Sequence, residues 1–439
     1  MELKPIYKSD EINEPILISE EPVIVKTTKG DSPQTARIVL EQFPKSRIRF
    51  HIDFKDKIYP FSLDDVKSVV LTGRNNLEWE GFAIGLTHST KEGSSLTWSP
   101  RSEPLIARGI GDTEISYAVF HIFNFKECFG PRRSSETRGN SMYAIFHFDL
   151  VWKDWHVEIK SLTTTSETIK QLEKSGGYGL THIGSVKKKN DVTFKGKELK
   201  DILYGLRLFL SFAKGTWCPP VLCIGFNKDN EKVWESWNSP HSSWQAPMSW
   251  HDAHHGDQLT GLFPKFMDMW SDEIWKDAIQ EAIYWYISAN DHLSSIEIEK
   301  GIILSQTALE RLAYEYAVNY KRLLTPKGFK DLWASDKFRL LFSSIDIPID
   351  IPDSLKNLKT MAAELKWIDA PHGLTEIRNS MIHPDHKHKG KFNDVVFEAW
   401  KLSLWYLELA ILRICGYEGT YSNRLVSRFV GEAENVPWK

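Results

Sequence analysis

Cysteine is scarce in this chain, and the cysteines that are present form no recognised metal or disulfide pattern. Four occur in 439 residues, and none stands in a C-x2-C pair. Zinc knuckles and the disulfide frameworks of small secreted domains both need clustered or numerous cysteines. We therefore expect Cys128, Cys218, Cys223 and Cys415 to be reduced and buried, with neither a zinc knuckle nor a disulfide framework.

Long uninterrupted apolar runs are also missing. The longest, around residues 402–414, contains Glu408 and Arg413 and is shorter than the roughly 20 apolar residues that span a bilayer. The amino terminus does not show the basic, apolar and small-residue succession of a secretory leader. We therefore expect a cytoplasmic protein without membrane contact.

A surplus of positive charge is absent as well. The formal net charge is −3 at pH 7, whereas proteins that coat nucleic acid neutralise many phosphates at once. This composition argues against a general nucleic-acid-coating protein. Any contact with RNA must be local.

The first part of the chain has the pattern of a β-rich domain. Short alternating or β-branched runs at 47–54, 69–71, 118–125, 143–152 and 221–226 are separated by turn signals. A predicted helix over 198–213, where leucines and Phe209 recur at helical spacing, interrupts the strands. We predict that residues 1–245 form a β-rich sandwich-like or jelly-roll-like domain with a sensing or regulatory role.

The last part of the chain has the pattern of a helical bundle. Apolar residues recur every three or four positions in runs that begin near Trp275, Leu309, Leu355 and Val396. Asn393 is positioned to cap the start of the last long helix, and Gly416 to close its end. A segment rich in Ser, Pro, Gly and His, 246–262, is the expected linker. The predicted fold class is α+β, with an all-α bundle over 263–439.

An arginine and a histidine stand near the end of one predicted helix with four residues between them. Arginine keeps its charge and binds phosphate through a bidentate fork, while histidine transfers protons near neutral pH. Arg378 and His383 together have the chemistry to cleave a phosphodiester without a metal. An isolated match of this kind is more often a salt bridge and a helix cap, so its place in the bundle decides the interpretation.

The local spacing indicates how these side chains are presented. Pro384 disfavours helical backbone at the preceding residue, so the helix should end at or near His383. Ile377 can enter the core, as can Met381 one turn later. Arg378, Asn379 and His383 are then left along an edge open to solvent.

This arrangement resembles the HEPN superfamily of ribonucleases, which carry an R-x4-6-H motif near the last long helix of a small bundle. Arg378 and His383 match that motif, and Asn379 matches the polar residue that often follows the arginine. The run 306–313 resembles an earlier helix of ApeA-like anti-phage members, which also have a β-rich region before the helices. The resemblance implies a homodimer in which two Arg/His pairs face one RNA-binding cleft.

The resemblance also implies a reaction and a role. The ribose 2′-hydroxyl would attack the adjacent phosphate, with His383 as general base or acid, Arg378 stabilising the developing charge, and Asn379 orienting the phosphate or His383. Products would end in a 2′,3′-cyclic phosphate, and no metal or cofactor would be needed. The biological role would be defence against phage by cleavage of transfer RNA or other cellular RNA, with a phage-derived trigger at the β-rich domain.

The sequence allows two interpretations of Glu310 and of the basic residues that follow His383. Glu310 either pairs with Arg378 across helices or lies on a solvated face, and we favour a structural role. His386, Lys387, Lys389 and Lys391 either form a local RNA-binding patch or an ordinary solvated loop.

Two alternatives come from different classes of protein. In the first, the bundle is a catalytically inactive nucleotide-binding or dimerisation module, and the β domain recognises a ligand. In the second, a metal-dependent hydrolase uses the histidines and aspartates of 251–257, which fit no established metal motif. A metal bound by His383, Asp385, His386 and His388 is disfavoured, because Arg378 would place a fixed positive charge beside it.

Overall fold

The structure, a computed structural model, describes residues 3–7, 9, 11–27, 30–54, 69–73, 77–89, 93–138, 141–291, 295–383, 390–427 and 429–439. The strands are β1 (Ile16–Thr27), β2 (Gly30–Glu41), β3 (Arg47–Phe54), β4 (Val69–Thr72), β5 (Glu78–Ser89), β6 (Gly93–Pro100), β7 (Leu105–Arg108), β8 (Glu114–Ile115), β9 (Tyr117–Phe123), β10 (Arg132–Arg138), β11 (Ser141–Trp152), β12 (Trp155–Ser161), β13 (Leu180–Lys188), β14 (Phe194–Lys195), β15 (Val221–Phe226), β16 (Lys232–Trp237), β17 (Thr420–Tyr421) and β18 (Glu434–Asn435). The helices are α1 (Thr165–Ser175), α2 (Gly196–Lys214), α3 (Gly256–Ser271), α4 (Trp275–Asn290), α5 (Ser295–Tyr314), α6 (Pro326–Lys330), α7 (Ala334–Ser344), α8 (Lys356–Leu365), α9 (Ala370–Ile382) and α10 (Val396–Ile414).

The first six strands close into a barrel in the order β1-β2-β3-β6-β5-β4. Alternation along β3 sends every second side chain inward, so Ile48, Phe50 and Ile52 are fully buried. The ring of Phe50 lies 4.9 Å from that of Trp98 and 5.5 Å from that of Trp79. Apolar side chains therefore fill the barrel interior, as is usual for small barrels.

The second β unit is an eight-stranded sheet in the order β10-β11-β12-β13-β9-β15-β16-β7. Phe123, Val221 and Trp237 on this sheet belong to the same buried cluster as the barrel interior. Phe120 and Phe148 belong instead to a cluster shared with the helices. The α+β class, β-rich first and helical second, is confirmed. Most of the strands form a closed barrel and one broad sheet, with β8 and β14 and also β17 and β18 in two-stranded sheets, whereas their sequence pattern alone predicts a sandwich-like pair.

The helical half is built around α10, which is buried at every residue from Leu402 to Leu412. A helix that is apolar on nearly all sides packs in this way. Gly416 ends it in the left-handed region at φ 70°, and the Tyr417 amide donates to the Leu412 carbonyl at 2.9 Å, as in a glycine-terminated helix. The prediction that Asn393 caps the start is wrong, because the cap position is Val395, without a side-chain hydrogen bond.

The two halves share one apolar interior. The ring of Phe209 on α2 lies 5.2 Å from that of Phe263 on α3, and the ring of Phe212 lies 5.3 Å from that of Tyr286 on α4. Helix α3 begins at Gly256, inside the segment 246–262 expected as a linker. The helices and the broad sheet therefore do not have separate cores.

A fully buried ion pair lies within this shared interior. Arg424 donates to the Glu408 carboxylate on α10 through Nε at 2.9 Å and Nη2 at 2.5 Å, and the Tyr286 hydroxyl donates to Glu408 at 2.6 Å. Arg424 Nη2 also donates to the Met248 carbonyl at 3.1 Å. Asn290 donates to Met248 and to Gly215, at 2.9 and 3.0 Å. The network thus joins α4, α10, the carboxy-terminal segment and the 246–262 segment.

None of the helices within the described ranges combines the length and the apolar content needed to cross a bilayer. The four cysteines are free and buried, as expected from their spacing.

Candidate functional site at the end of helix α9

The start of α9 is fixed by a carboxylate with two roles. Asp369 is the N-cap residue, and its side chain accepts a hydrogen bond from the His372 amide at 2.9 Å. The same carboxylate forms a two-point ion pair with Arg339 on α7, at 2.6 and 3.1 Å. Proline in the first turn of α9 also favours helix initiation. Asp369 therefore sets both the start of the helix and its position against α7.

We expect Asp369→Ala to lower the free energy of unfolding by about 2 kcal/mol, because it removes the cap and leaves Arg339 without its main partner. Urea unfolding of the full chain measures this loss. Asp353→Ala is the matched control, because Asp353 pairs with Lys359 in an exposed position and its removal should cause no measurable change. Equal stability of the two variants would contradict the anchoring role.

The middle of α9 is held by a buried amide from α5. Gln306 is 1% exposed, and its Nε2 donates to the Leu374 carbonyl at 2.9 Å. Its Oε1 has no hydrogen-bond partner in the part of the chain that the structure describes. Gln306 thus ties α5, which includes the 306–313 run, directly to the helix that carries the Arg/His motif.

The end of α9 presents His383 to solvent. The helix stops at Ile382, and His383 has an extended backbone, with φ −105° and ψ 113°, as expected for a residue before proline. Its amide donates to the Asn379 carbonyl at 3.0 Å, which closes the last turn. The His383 side chain is exposed. Pro384 itself lies outside the described residues.

Arg378 lies one turn before His383 and has no carboxylate partner among the described residues. Its side chain is half-buried, and its buried Nε has no hydrogen-bond acceptor within the same ranges. Four other arginines of the helical half do pair with carboxylates: Arg311 with Glu281 and Glu315, Arg339 with Asp336 and Asp369, Arg413 with Asp346, and Arg424 with Glu408. The Arg378 guanidinium is thus left available for an external anion.

The remaining motif residues lie as their spacing indicates, with one exception. Ile377 is fully buried, Met381 is partly buried against the shared interior, and Asn379 is half-buried. Glu310 does not pair with Arg378. Its carboxylate binds Lys337 of α7 at 2.5 Å, so it contributes to helix packing at a different position.

The proposed RNA-binding patch is only partly described. His386, Lys387 and Lys389 lie outside the described residues. Lys391 is exposed, and it adjoins Phe392, whose ring lies 5.9 Å from that of Trp367. Trp367 packs against the second turn of α9, about 15 Å along the helix from His383 at 1.5 Å per residue. The role of Lys391 in RNA binding therefore stays a prediction.

The histidine-rich segment 251–257 does not converge on a metal position. His251 is 2% exposed, and burial lowers its pKa well below the usual value, an effect that nearby Lys126 adds to. The Asp252 carboxylate accepts from the His254 amide at 2.7 Å, and His255 bonds the Gly431 carbonyl at 2.8 Å. Across the described ranges no three His, Cys, Asp or Glu side chains form a metal-binding group.

The residues that hold α9 in place were not predicted from the sequence. Asp369 directly before Ala370 and Pro371 is a recognisable N-cap signal, and it could have located the start of α9. The contribution of Gln306 and the pairing of Arg339 could not be found in this way, because both depend on packing between helices distant in sequence.

Two segments of the chain match known family models. Residues 111–247 match the YopA central domain, and residues 272–435 match the YopA C-terminal domain. The chain is similar to YopA. The SPbeta prophage-derived uncharacterized protein YopA of Bacillus subtilis (strain 168) is 28% identical over 453 residues, covering 100% of this chain and 98% of the relative. No solved structure matches the chain.

These YopA matches divide the structure in a definite way. The YopA central-domain match takes in β8 to β16 with α1 and α2, and the C-terminal match takes in α4 to α10. Arg378 and His383 lie in the second of these. The six-stranded barrel lies outside both, although the full-length similarity to the Bacillus YopA protein includes it. The relative is described as uncharacterized, so it assigns no activity.

Proposed function

We propose that this protein is a metal-independent endoribonuclease that cleaves RNA at the carboxy-terminal end of α9. The observation that carries the proposal is that an exposed imidazole, His383, follows on the same helix end an arginine, Arg378, that has no carboxylate partner among the described residues. An unpaired, half-buried guanidinium is costly unless an anion completes its hydrogen bonds. A phosphate of the RNA backbone is such an anion.

The chemistry follows from the positions of these two groups. His383 takes a proton from the ribose 2′-hydroxyl or gives one to the leaving 5′-oxygen. Arg378 stabilises the charge that develops on the phosphorane oxygens. Asn379, on the same turn, orients the phosphate or the imidazole. DNA lacks the attacking hydroxyl, so the reaction is specific to RNA and leaves a 2′,3′-cyclic phosphate and a 5′-hydroxyl.

A homodimer of the HEPN type would supply a second histidine. The reaction needs a general base and a general acid, and one exposed His383 per chain provides only one of them at a time. Two chains packed with their α9 ends facing one cleft would provide both. The resemblance to HEPN nucleases favours this assembly, in which substrate binds between the two copies.

The defence role is part of the same proposal. A similar protein is described as prophage-derived, and a ribonuclease that halts translation during infection fits that setting. Transfer RNA is the substrate class we favour, with the β-rich half receiving the phage-derived trigger. We place the protein in the cytoplasm, where its RNA substrates are found.

The decisive test incubates the purified full chain with total RNA and with transfer RNA in excess EDTA. We expect cleavage that survives chelation and yields 2′,3′-cyclic phosphate ends, detected by their resistance to direct ligation until the phosphate is removed. Arg378→Gln should lose this cleavage. Arg322→Gln is the matched control, because Arg322 is exposed and also lacks a carboxylate partner among the described residues.

Each other outcome selects a different function. Cleavage abolished by EDTA would identify a metal-dependent enzyme and overturn the proposal. Absence of cleavage with every RNA tested, in cells challenged with phage as well as with purified protein, would favour an inactive binding or dimerisation module. Equal activity of Arg378→Gln and Arg322→Gln would remove Arg378 from the reaction.

A further inference from the structure

A second candidate site lies far from α9 in the sequence, in a cavity of about 240 Å³ between α2 and the broad sheet. Strands β7, β15 and β16 form one wall, and α2 forms the other. Pro219, Pro220 and the segment from Asn238 to His241 border the opening. The volume equals the share of about eight water molecules in the liquid, which suits a small organic molecule.

Two cations from α2 line this cavity on one face of the helix. Lys200 and Arg207 are separated by seven residues, with Tyr204 between them at helical spacing, so the three side chains lie one above another. Neither cation forms an ion pair with any carboxylate of the described residues. No carboxylate within the described ranges therefore pairs with the positive charge of this face.

Arg207 is held in place by aromatic rings. Its guanidinium carbon lies 4.7 Å from the centre of the Trp217 ring and 5.6 Å from that of Tyr204. Burial lowers the pKa of Arg207, and its buried Nε has no hydrogen-bond partner within the described ranges. A guanidinium stacked and desolvated in this way is preorganised to accept an anion.

The carboxylate that lines the cavity is already satisfied by other groups. Glu103 accepts hydrogen bonds from the amide and the hydroxyl of Ser239, both at 2.6 Å, and from the Ile48 amide at 3.1 Å. These three donors compensate its charge and direct it toward the chain after β16. Glu103 therefore does not take the place of an anionic ligand at Arg207.

We propose that this cavity binds a small organic anion, with its carboxylate or phosphate on Arg207 and Lys200 and a planar apolar part against Tyr204 and the two prolines. Pro219 and Pro220 lack donor groups, so they offer an apolar edge beside the charged one. The proposal goes beyond RNA cleavage, because it concerns the broad sheet and α2 and does not depend on Arg378 or His383.

The cavity is connected to the helical half of the protein through one of its lining side chains. Tyr204, which lines the cavity, stacks on Trp270 of α3 with ring centres 5.3 Å apart and planes within 15°. Gly205 lets α3 approach closely, since a Cβ there would lie 2.9 Å from Met267 Sδ. A ligand that fixes Tyr204 would therefore restrict the contact between α2 and α3.

Calorimetric titration of the full chain tests the proposal with three probes: phenyl phosphate, benzoate and inorganic phosphate. We expect at least one of the two organic anions to bind with a dissociation constant below roughly 1 mM, and inorganic phosphate to bind about tenfold more weakly. Whichever of phenyl phosphate and benzoate binds more tightly identifies the anionic group, phosphate or carboxylate, that the site selects. Arg207→Gln should weaken binding at least about tenfold, as expected for loss of a charge-assisted hydrogen bond.

Two further variants keep the test decisive. Lys200→Gln, at an exposed position, should weaken binding severalfold without affecting folding. Arg133→Gln is the matched control, because Arg133 also stacks on an aromatic ring, Phe146 at 5.8 Å, away from the cavity. The proposal is overturned if neither organic anion binds, if inorganic phosphate binds as tightly as both, or if Arg207→Gln and Lys200→Gln bind like Arg133→Gln. RNA cleavage is not measured, so failure here leaves the nuclease proposal intact.

Discussion

His383→Ala is expected to abolish RNA cleavage, lowering the rate by about 10²- to 10⁴-fold, the usual contribution of a general acid or base. The imidazole is exposed at the end of α9, and no other described histidine lies on the last turn of that helix. Removing it should leave the fold unchanged, since the backbone contact that closes the helix comes from the His383 amide and not from its ring. Initial rates of RNA cleavage by the two proteins measure the effect.

The control for this variant is another histidine of the same helix. His372 lies in the first turn of α9, where its Nδ1 accepts from the Ile368 amide at 3.2 Å. Glutamine retains an acceptor, so His372→Gln should cleave RNA at the parental rate. If His383→Ala kept more than about a tenth of the activity, the imidazole would not be the proton-transfer group. Thermal unfolding of both variants would separate loss of chemistry from loss of structure.

Arg424→Met is expected to cause the largest loss of stability, about 3–5 kcal/mol. Arg424 is 1% exposed and Glu408 is fully buried, so the substitution leaves a carboxylate in the apolar interior without its counter-charge. Burial, together with Glu408, raises the pKa of Tyr286 well above the usual value, so the hydroxyl still donates to Glu408. One neutral donor does not replace the two-point ion pair. Urea unfolding with linear extrapolation measures the difference.

A double variant distinguishes a broken pair from a lost contact. Replacing both charges, in Arg424→Met with Glu408→Leu, should recover a large part of the loss, because buried ion pairs are often no more stable than apolar residues of similar volume. Lys359→Met removes one partner of an exposed pair and should leave stability unchanged. A loss below about 1 kcal/mol in Arg424→Met would show that water reaches Glu408 after the substitution.

Local patterns in the sequence predict some of the strands and several of the long helices. The alternation over 47–54 predicts β3, and the short apolar run over 221–226 predicts β15, both at their observed bounds. The long apolar stripe predicts α10. These elements can be predicted because apolar side chains recur every second residue in a strand and every three or four residues in a helix, so the pattern is visible within one element.

Contacts between elements that are distant in the sequence could not be predicted from local patterns. Closure of the barrel depends on β1 pairing with β4, some 45 residues later in the chain, and no local signal specifies that partner. At the candidate site, the helix end at His383 follows from one proline, whereas the unpaired state of Arg378 depends on where every carboxylate of the bundle lies. Glu310 shows the difference, since its helical position was evident and its partner, Lys337, was not.

The continuous interior of the broad sheet and the helices limits how a signal could pass between them. Because α2, α3 and α4 are packed through Phe209, Phe263 and Phe212, the segment 246–262 cannot act as a hinge about which two rigid bodies swing. Coupling would instead require packed helices to slide past each other by small distances, as in shear motions. A truncated chain beginning at residue 263 would expose the same apolar surface to water and would therefore be expected to misfold.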